Sequence, residues 1–319
     1  MSSVTVPRVS VVVATRDRCD YLRLCLEALA RQTAAFESFE VIVVDNGSAD
    51  ETAEVVRGFS GQGRNVSSVR EERAGLSIAR NVGVAQSRAE IVAFTDDDAV
   101  PDPQWVERIA ARYETLGDEV AVLGGDVRPI WEAPRPDWLT NELLRPLSAG
   151  LLWSPTARPL RGEEWLVEVN IAYRKARLIE FGGFAEQLGR VGDTLLSGEG
   201  CINLLMTRAG LHAYYDPNIL VGHHIPAERL TRAWFRRRFF WQGVSMNRVY
   251  NYVEKMSAAL NIAQTSQYTR TWEEVVVPAS ASAWADLFDD RSDTPFVQQV
   301  YVLEQLGYLL ESQSLIAGR

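Results

Sequence analysis

The chain has little of what staples or redox-tunes a fold. Its 319 residues include three cysteines, Cys19, Cys25 and Cys201, and three histidines. None of the cysteines sits in a close Cys-Cys pair, which argues against a disulfide framework or a cysteine-built zinc site. Free thiols suit a cytoplasmic protein. No run approaches the ~18–20 apolar residues that cross a bilayer. The opening MSSVTVPRVSVVVATRD lacks the basic and long apolar segments of a secretory signal and reads as the first strand. A basic excess is also missing: 33 Lys and Arg stand against 42 Asp and Glu, a formal charge of −9. That balance argues against a nucleic-acid partner. There is no internal repeat and no low-complexity stretch.

What is present is a 46% hydrophobic chain, enough for one large domain or two. Short apolar, β-branched runs alternate with helical periodicities. Strands are expected at Val9–Ala14, Glu40–Asp45 and Glu90–Asp96. The first is followed by Tyr21, Leu22, Cys25, Leu26 and Leu29 at helical spacing. Ser48 with Glu51 reads as a capping box for a second helix, Gly75–Ser87 as a third, and Asp102-Pro103 as the start of a fourth. Apolar strands separated by amphipathic helices predict an α/β fold, a mostly parallel sheet with helices on both faces. Residues 128–161, rich in Pro and Trp, read as extended loops, and from about Ala227 the pattern turns helical. In parallel sheets ligands bind beyond the carboxyl ends of the strands. Asp45 and Asp96 both stand at such ends.

Asp96-Asp97-Asp98 is the most informative motif. Three adjacent carboxylates repel one another, and burying them unpaired is costly. A hard cation such as Mg²⁺ or Mn²⁺ relieves both costs and bridges to phosphates. In an extended segment residues two apart share a face, so Asp96 and Asp98 are expected together with Asp97 opposite. Neutral imidazoles are good metal ligands. His223-His224, after a strand-like run, are therefore further candidates.

In this order along Val9–Pro226, VSVVVATRDR, VIVVDNGSADET, RAGLSIARNVG, FTDDDAVPDPQWV, VNIAYRKARLIEFGGFAEQLGR, GEGCINLLMTRAG and YDPNILVGHH resemble the successive motifs of family 2 glycosyltransferases. The resemblance implies a GT-A domain over about residues 1–226, followed by a helical segment over 227–319. It implies inverting transfer from a nucleotide sugar, with UDP favoured. The acceptor class stays open among carbohydrate, lipid-linked sugar and small natural product. Thr15, Arg16, Asp45, Ser48, Arg80, Asn81, Asp96 and Asp97 would bind the donor, Asp45 through a base N–H. Asp96, Asp98, His223 and His224 would hold Mn²⁺ or Mg²⁺. The family usually carries two acidic residues where this chain has Glu199-Gly200. Counting back from Ala209-Gly210 makes Glu199 the base for the acceptor hydroxyl, with Asp193 second.

Two alternatives stand beside that reading. A nucleotidyltransferase would carry a glycine-rich loop with a basic residue near the first strand, which VVVATRDRCD lacks. A catalytically silent nucleotide-sugar binder is the other, since Gly200 breaks the usual pair. The segment Leu230–Trp241 mixes arginines with aromatic residues. On a helical wheel Leu230, Trp234 and Trp241 lie on one side, and Phe235 and Phe239 on nearly the other. Apolar groups on two sides suit a helix packed within protein, over the donor site, with one or more of Arg232, Arg236, Arg237 and Arg238 facing the diphosphate. A peripheral location on the inner face of a membrane is the competing expectation.

Overall fold

The computed structural model describes residues 6–61, 65–150, 152–162, 164–190, 198, 200–262 and 295–316. In chain order the strands are β1 (Val9–Thr15), β2 (Phe39–Asp45), β3 (Val66–Arg70), β4 (Ile91–Asp96), β5 (Ala99–Pro101), β6 (Val120–Trp131), β7 (Arg158–Pro159), β8 (Ile171–Arg174) and β9 (His212–Ile225). The helices are α1 (Cys19–Ala30), α2 (Thr52–Ser60), α3 (Leu76–Gln86), α4 (Trp105–Thr115), α5 (Lys175–Glu180), α6 (Gly200–Arg208), α7 (Arg232–Ala259) and α8 (Phe296–Ser312).

One sheet runs in the order β3-β2-β1-β4-β8-β6-β9-β5, with β7 on β9. The first four strands are all parallel. β8 then enters antiparallel between β4 and β6, and β6 pairs parallel with β9. The sheet is thus an α/β frame whose first half is parallel and whose second half is mixed. Alternation along β1 explains the two helical layers. Val9, Val11 and Val13 pack with α1, α2 and α4, while Val12 faces the other way with α3, α5 and α6. Each fully buried aliphatic side chain contributes about 1.5–3 kcal/mol. The approach of α3 is close: a Cβ on Gly83 would lie 2.3 Å from Val12 Cγ1.

The segment expected to be loops holds the end of β6, a 3-10 helix at Asn141–Leu147 and the short β7. Its Leu139, Leu143 and Leu147 join Ile225, Phe235, Phe239, Phe296 and Val300 in a third core. That core seats α7 on the sheet. The two C-terminal helices touch at glycines. A Cβ on Gly243 would lie 1.7 Å from the Glu304 carbonyl oxygen, and one on Gly307 2.0 Å from that of Phe240.

The expected capping box does not form. Ser48 Oγ instead accepts from the Asp17 amide, and Asp50 Oδ1 accepts from the Thr52 amide and hydroxyl. Asp50 stands nearer the first turn, so it reaches the free donors that Ser48 would have capped.

Candidate active site

β4 delivers Asp96 at its carboxyl end, and the chain turns through Asp97 and Asp98 into β5. Antiparallel pairing sets Ala99 of β5 opposite His223 of β9. That register carries a histidine from the far end of the sheet to the acidic turn. One ligand atom each from Asp96, Asp98 and His223 lie within 4.8 Å of one another.

The imidazole is oriented for coordination. His223 Nδ1 lies 3.0 Å from the Leu147 carbonyl oxygen, which only accepts, so Nδ1 carries a hydrogen. In the neutral ring Nε2 then presents its lone pair, 3.3 Å from Asp98 Oδ1. A lone pair facing a carboxylate oxygen requires a proton or a metal ion between them. Two carboxylates and an imidazole fit a divalent cation.

Cations from distant parts of the chain surround the aspartates. Arg18 places Nη1 2.7 Å from Asp97 Oδ1 and Nη2 2.7 Å from Asp98 Oδ2. Arg229 Nη2 lies 3.6 Å from the same Asp98 oxygen. Thr15 Oγ1 donates to Asp97 Oδ2 at 2.8 Å, so both Asp97 oxygens are held away from the metal trio. Arg80, buried, donates to Glu168 at 2.7 Å and to Asp96 at 3.2 Å. Burial pushes the Asp97 carboxyl up to about 7, against the pull of Arg18. For Asp98 burial acts in the same upward direction, but His223, Arg18 and Arg229 outweigh it and hold the group well below the usual carboxylate range.

All of these residues except Arg80 line a cavity of about 710 Å³, within the ~300–1,000 Å³ of small-molecule sites. Its wall includes Thr15, Arg16, Asp17 and Arg18 after β1, Asn46 after β2, and Gly75 and Leu76 at the start of α3. Asp17 and Ser148, both lining residues, have positive φ of 52° and 51° without being glycine. Such backbone is sparsely populated and is enriched at functional sites. Trp234 and Arg238 of α7 close the opposite side. Arg232 and Arg236 turn instead to the Phe296 ring, 5.3 and 5.5 Å from its centroid. Of the four arginines considered from the sequence, Arg238 is the one on the cavity wall among the described residues.

Several expected site residues stand elsewhere. His224 does not join the metal trio. It follows His223 on a strand, so its ring faces away, with Nδ1 3.0 Å from Glu132 Oε1. Asp45 and Ser48 are not among the residues that line the cavity. Asp45 accepts from the Ser48 amide at 2.8 Å and from Arg70 at 3.0 Å, which organises the loop itself. Asn81 uses both ends of its amide on the Phe184 backbone, at 2.9 Å each. Glu199 and Asp193 fall outside the described residues. Arg18, Asn46, Glu168, Arg190 and Arg229, none of them expected from the sequence, also stand on the wall. Arg18 had a visible signal, a second arginine beside Arg16 in the loop after β1.

Residues 10–182, more than half the chain, match the family model described as glycosyl transferase family 2. A glucosyl-dolichyl phosphate glucuronosyltransferase of Haloferax volcanii is 29% identical over 249 residues, covering 75% of this chain and 76% of that protein. Further curated relatives match over shorter stretches, well under two thirds of their own length. Among solved structures, the mannosyltransferase PcManGT of Pyrobaculum calidifontis superposes with a TM-score of 0.56 at 19% identity, covering 97% of this chain and 87% of that one. TarS 1-349 of S. aureus gives a TM-score of 0.54 at 16% identity, covering 96% and 91%. These likenesses show the GT-A fold, and the family match decides for sugar transfer over nucleotidyl transfer. The chain belongs to family 2 of the glycosyltransferases.

Proposed function

We propose that the protein moves a sugar from a nucleoside-diphosphate sugar to an acceptor hydroxyl, with Mn²⁺ or Mg²⁺ held by Asp96, Asp98 and His223. The observation that carries this reading is the convergence of those three side chains on the wall of one cavity. An imidazole among the donors favours Mn²⁺, since Mg²⁺ prefers oxygen alone. The ion would neutralise charge on the leaving diphosphate. Arg18, Arg229 and Arg238 line the same cavity and add positive charge where that diphosphate would lie. Asp96 keeps its carboxylate directed by Arg80. Glu199, with Asp193 second, takes the acceptor proton, and the anomeric centre inverts, both by family resemblance.

The PcManGT structure is a complex with GDP-Man and Mn²⁺, and the TarS structure one with UDP-GlcNAc. We favour UDP, with GDP as the competitor. The name of the Haloferax relative supports a lipid-linked sugar acceptor. That acceptor would bring the protein to a membrane surface. No helix among the described residues is long and apolar enough to cross a membrane. In this scheme residues 1–226 bind and react the donor, and within 227–319 the helices α7 and α8 cover it.

The test is a thermal-shift screen of UDP- and GDP-sugars with and without Mn²⁺, since a ligand that binds the native state raises its stability. The expected result is a shift with a UDP-sugar that depends on Mn²⁺. Equal shifts in excess chelator would sink the metal assignment. Glu199→Gln should keep that shift and lose about 10²–10⁴-fold in transfer. A loss below about tenfold would move the base role elsewhere.

A further inference from the structure

The second histidine of the pair leads to a cluster that the metal trio does not include. On the side of β9 away from His223, the His224 ring packs edge-on to Tyr21, centroids 5.6 Å apart. Tyr21 Oη donates to both Glu132 oxygens, at 2.8 and 3.0 Å, and His224 Nδ1 lies 3.0 Å from Glu132 Oε1. The Tyr21 ring in turn lies under the Arg18 guanidinium, 4.7 Å from Cζ to centroid. Arg18 is the residue that spans Asp97 and Asp98.

The division of the Asp98 oxygens shows what this accomplishes. Oδ2 faces Arg18 and Arg229, while Oδ1 faces His223. Left alone, a carboxylate beside two others would rotate to spread its charge. Two guanidinium contacts on one oxygen fix the plane of the group and leave the other oxygen toward the metal position. Arg18 can do this only if its own side chain is fixed. A cation over an aromatic face is attracted by the ring quadrupole. That ring is held in turn by a hydrogen bond to a carboxylate.

We propose that Tyr21 and Glu132, braced by His224, are positioning residues that act through Arg18 to orient Asp98 for the divalent cation. This rests on the metal reading above, and extends it to residues that touch neither ion nor donor. Removing outer partners of metal ligands costs about 10–100-fold in affinity. The relay here is one residue longer, so the expected loss is at the low end.

The experiment is Mn²⁺ titration of the full chain, followed by electron paramagnetic resonance of the free ion, beside melting curves. Wild type must bind first, and if it binds no Mn²⁺ at millimolar concentration the metal reading itself fails, and with it this extension. Tyr21→Leu removes the ring and should weaken Mn²⁺ binding by about tenfold. Glu132→Ala should weaken it by about threefold to tenfold, at the low end for an outer partner. Glu132→Gln retains an acceptor for the Tyr21 hydroxyl and should restore affinity to within about twofold of wild type, below the outer-partner range. Melting temperatures should stay within a few degrees throughout. Mn²⁺ affinity unchanged in both Tyr21→Leu and Glu132→Ala overturns the proposal. So does a loss in Glu132→Gln equal to that in Glu132→Ala, because the negative charge of Glu132 and not its hydrogen bond to Tyr21 would then be responsible.

Discussion

The two ends of the parallel strands both bury carboxylates, and they treat them in opposite ways. At the amino end, Glu40 accepts from Ser10 Oγ at 2.6 Å, from the Arg88 amide at 2.7 Å and from Arg88 Nε at 2.7 Å. Ser10 Oγ also accepts from the Ala89 amide. One carboxylate meets one guanidinium and two neutral donors, and the network closes on itself. At the carboxyl end, three consecutive aspartates and Glu168 share Arg18, Arg80, Arg229 and His223, and the group opens on a cavity. Here Asp98 Oδ1 faces the His223 nitrogen, while Arg18 and Arg229 take Oδ2. A closed network uses up its hydrogen-bonding capacity in stability, whereas an open one holds capacity in reserve for a ligand.

The sharpest way to break this contrast is Asp98→Asn. It should lower transfer by about 10³-fold, equivalent to ~4 kcal/mol of lost charge stabilisation. The fold should persist with a lower melting temperature, because the lost charge is one that Arg18, Arg229 and His223 stabilise. A variant turning over near the wild-type rate would place the metal elsewhere. Glu40→Ala is the mirror experiment. It should cost about 2–3 kcal/mol of stability, less than the ~3–5 of a fully buried pair, because the Arg88 side chain is 44% exposed. The rate per folded molecule should be unchanged, checked by urea unfolding beside active-site-normalised turnover. Gly243→Ala drives a methyl into the Glu304 carbonyl and should cost about 1–3 kcal/mol. It should also raise the KM for donor, since α7 carries Trp234 and Arg238. An unchanged KM would detach the helical cover from the site. The smallest effect is expected from Asp45→Asn. It keeps the acceptor for the Ser48 amide and loses an ion pair whose Arg70 side chain is 51% exposed, so stability should fall by under about 1 kcal/mol. Calorimetry with UDP then reads the base contact cleanly: an affinity change beyond about tenfold, 1.4 kcal/mol, requires Asp45 to touch the nucleotide.

Much of the frame was legible because it is written in local pattern. β1, β2 and β4 are apolar runs buried on both faces. β3, VSSVR, escaped because it is an edge strand with exposed and half-buried residues, so no apolar run marks it. The site was legible in part for a related reason. Asp96-Asp97-Asp98 announces itself by charge density, but the His223 side chain is paired with it by the β5–β9 register, which no local pattern encodes. For the same reason His224 was expected beside His223 as a metal ligand, and its ring turns to Glu132 instead. Arg229 lies in a short 3-10 turn between β9 and α7, where a lone arginine carries no signal of its partner. Asp45 and Ser48 also make the local turn bonds that Asp and Ser after a strand often make.

The paired glycines of the C-terminal helices have a mechanical consequence. α7 is a single unbroken helix of 28 residues, roughly 42 Å of stiff rod at 1.5 Å per residue. Trp234 and Arg238 ride on its first turns, and Gly243, a little further along, is pressed backbone to backbone against α8. A rod gripped that close to its tip cannot bend like a flap. Any loosening of the wall around a bound nucleotide must swing the two helices together, or unwind the short Pro226–Thr231 connection from which the rod springs.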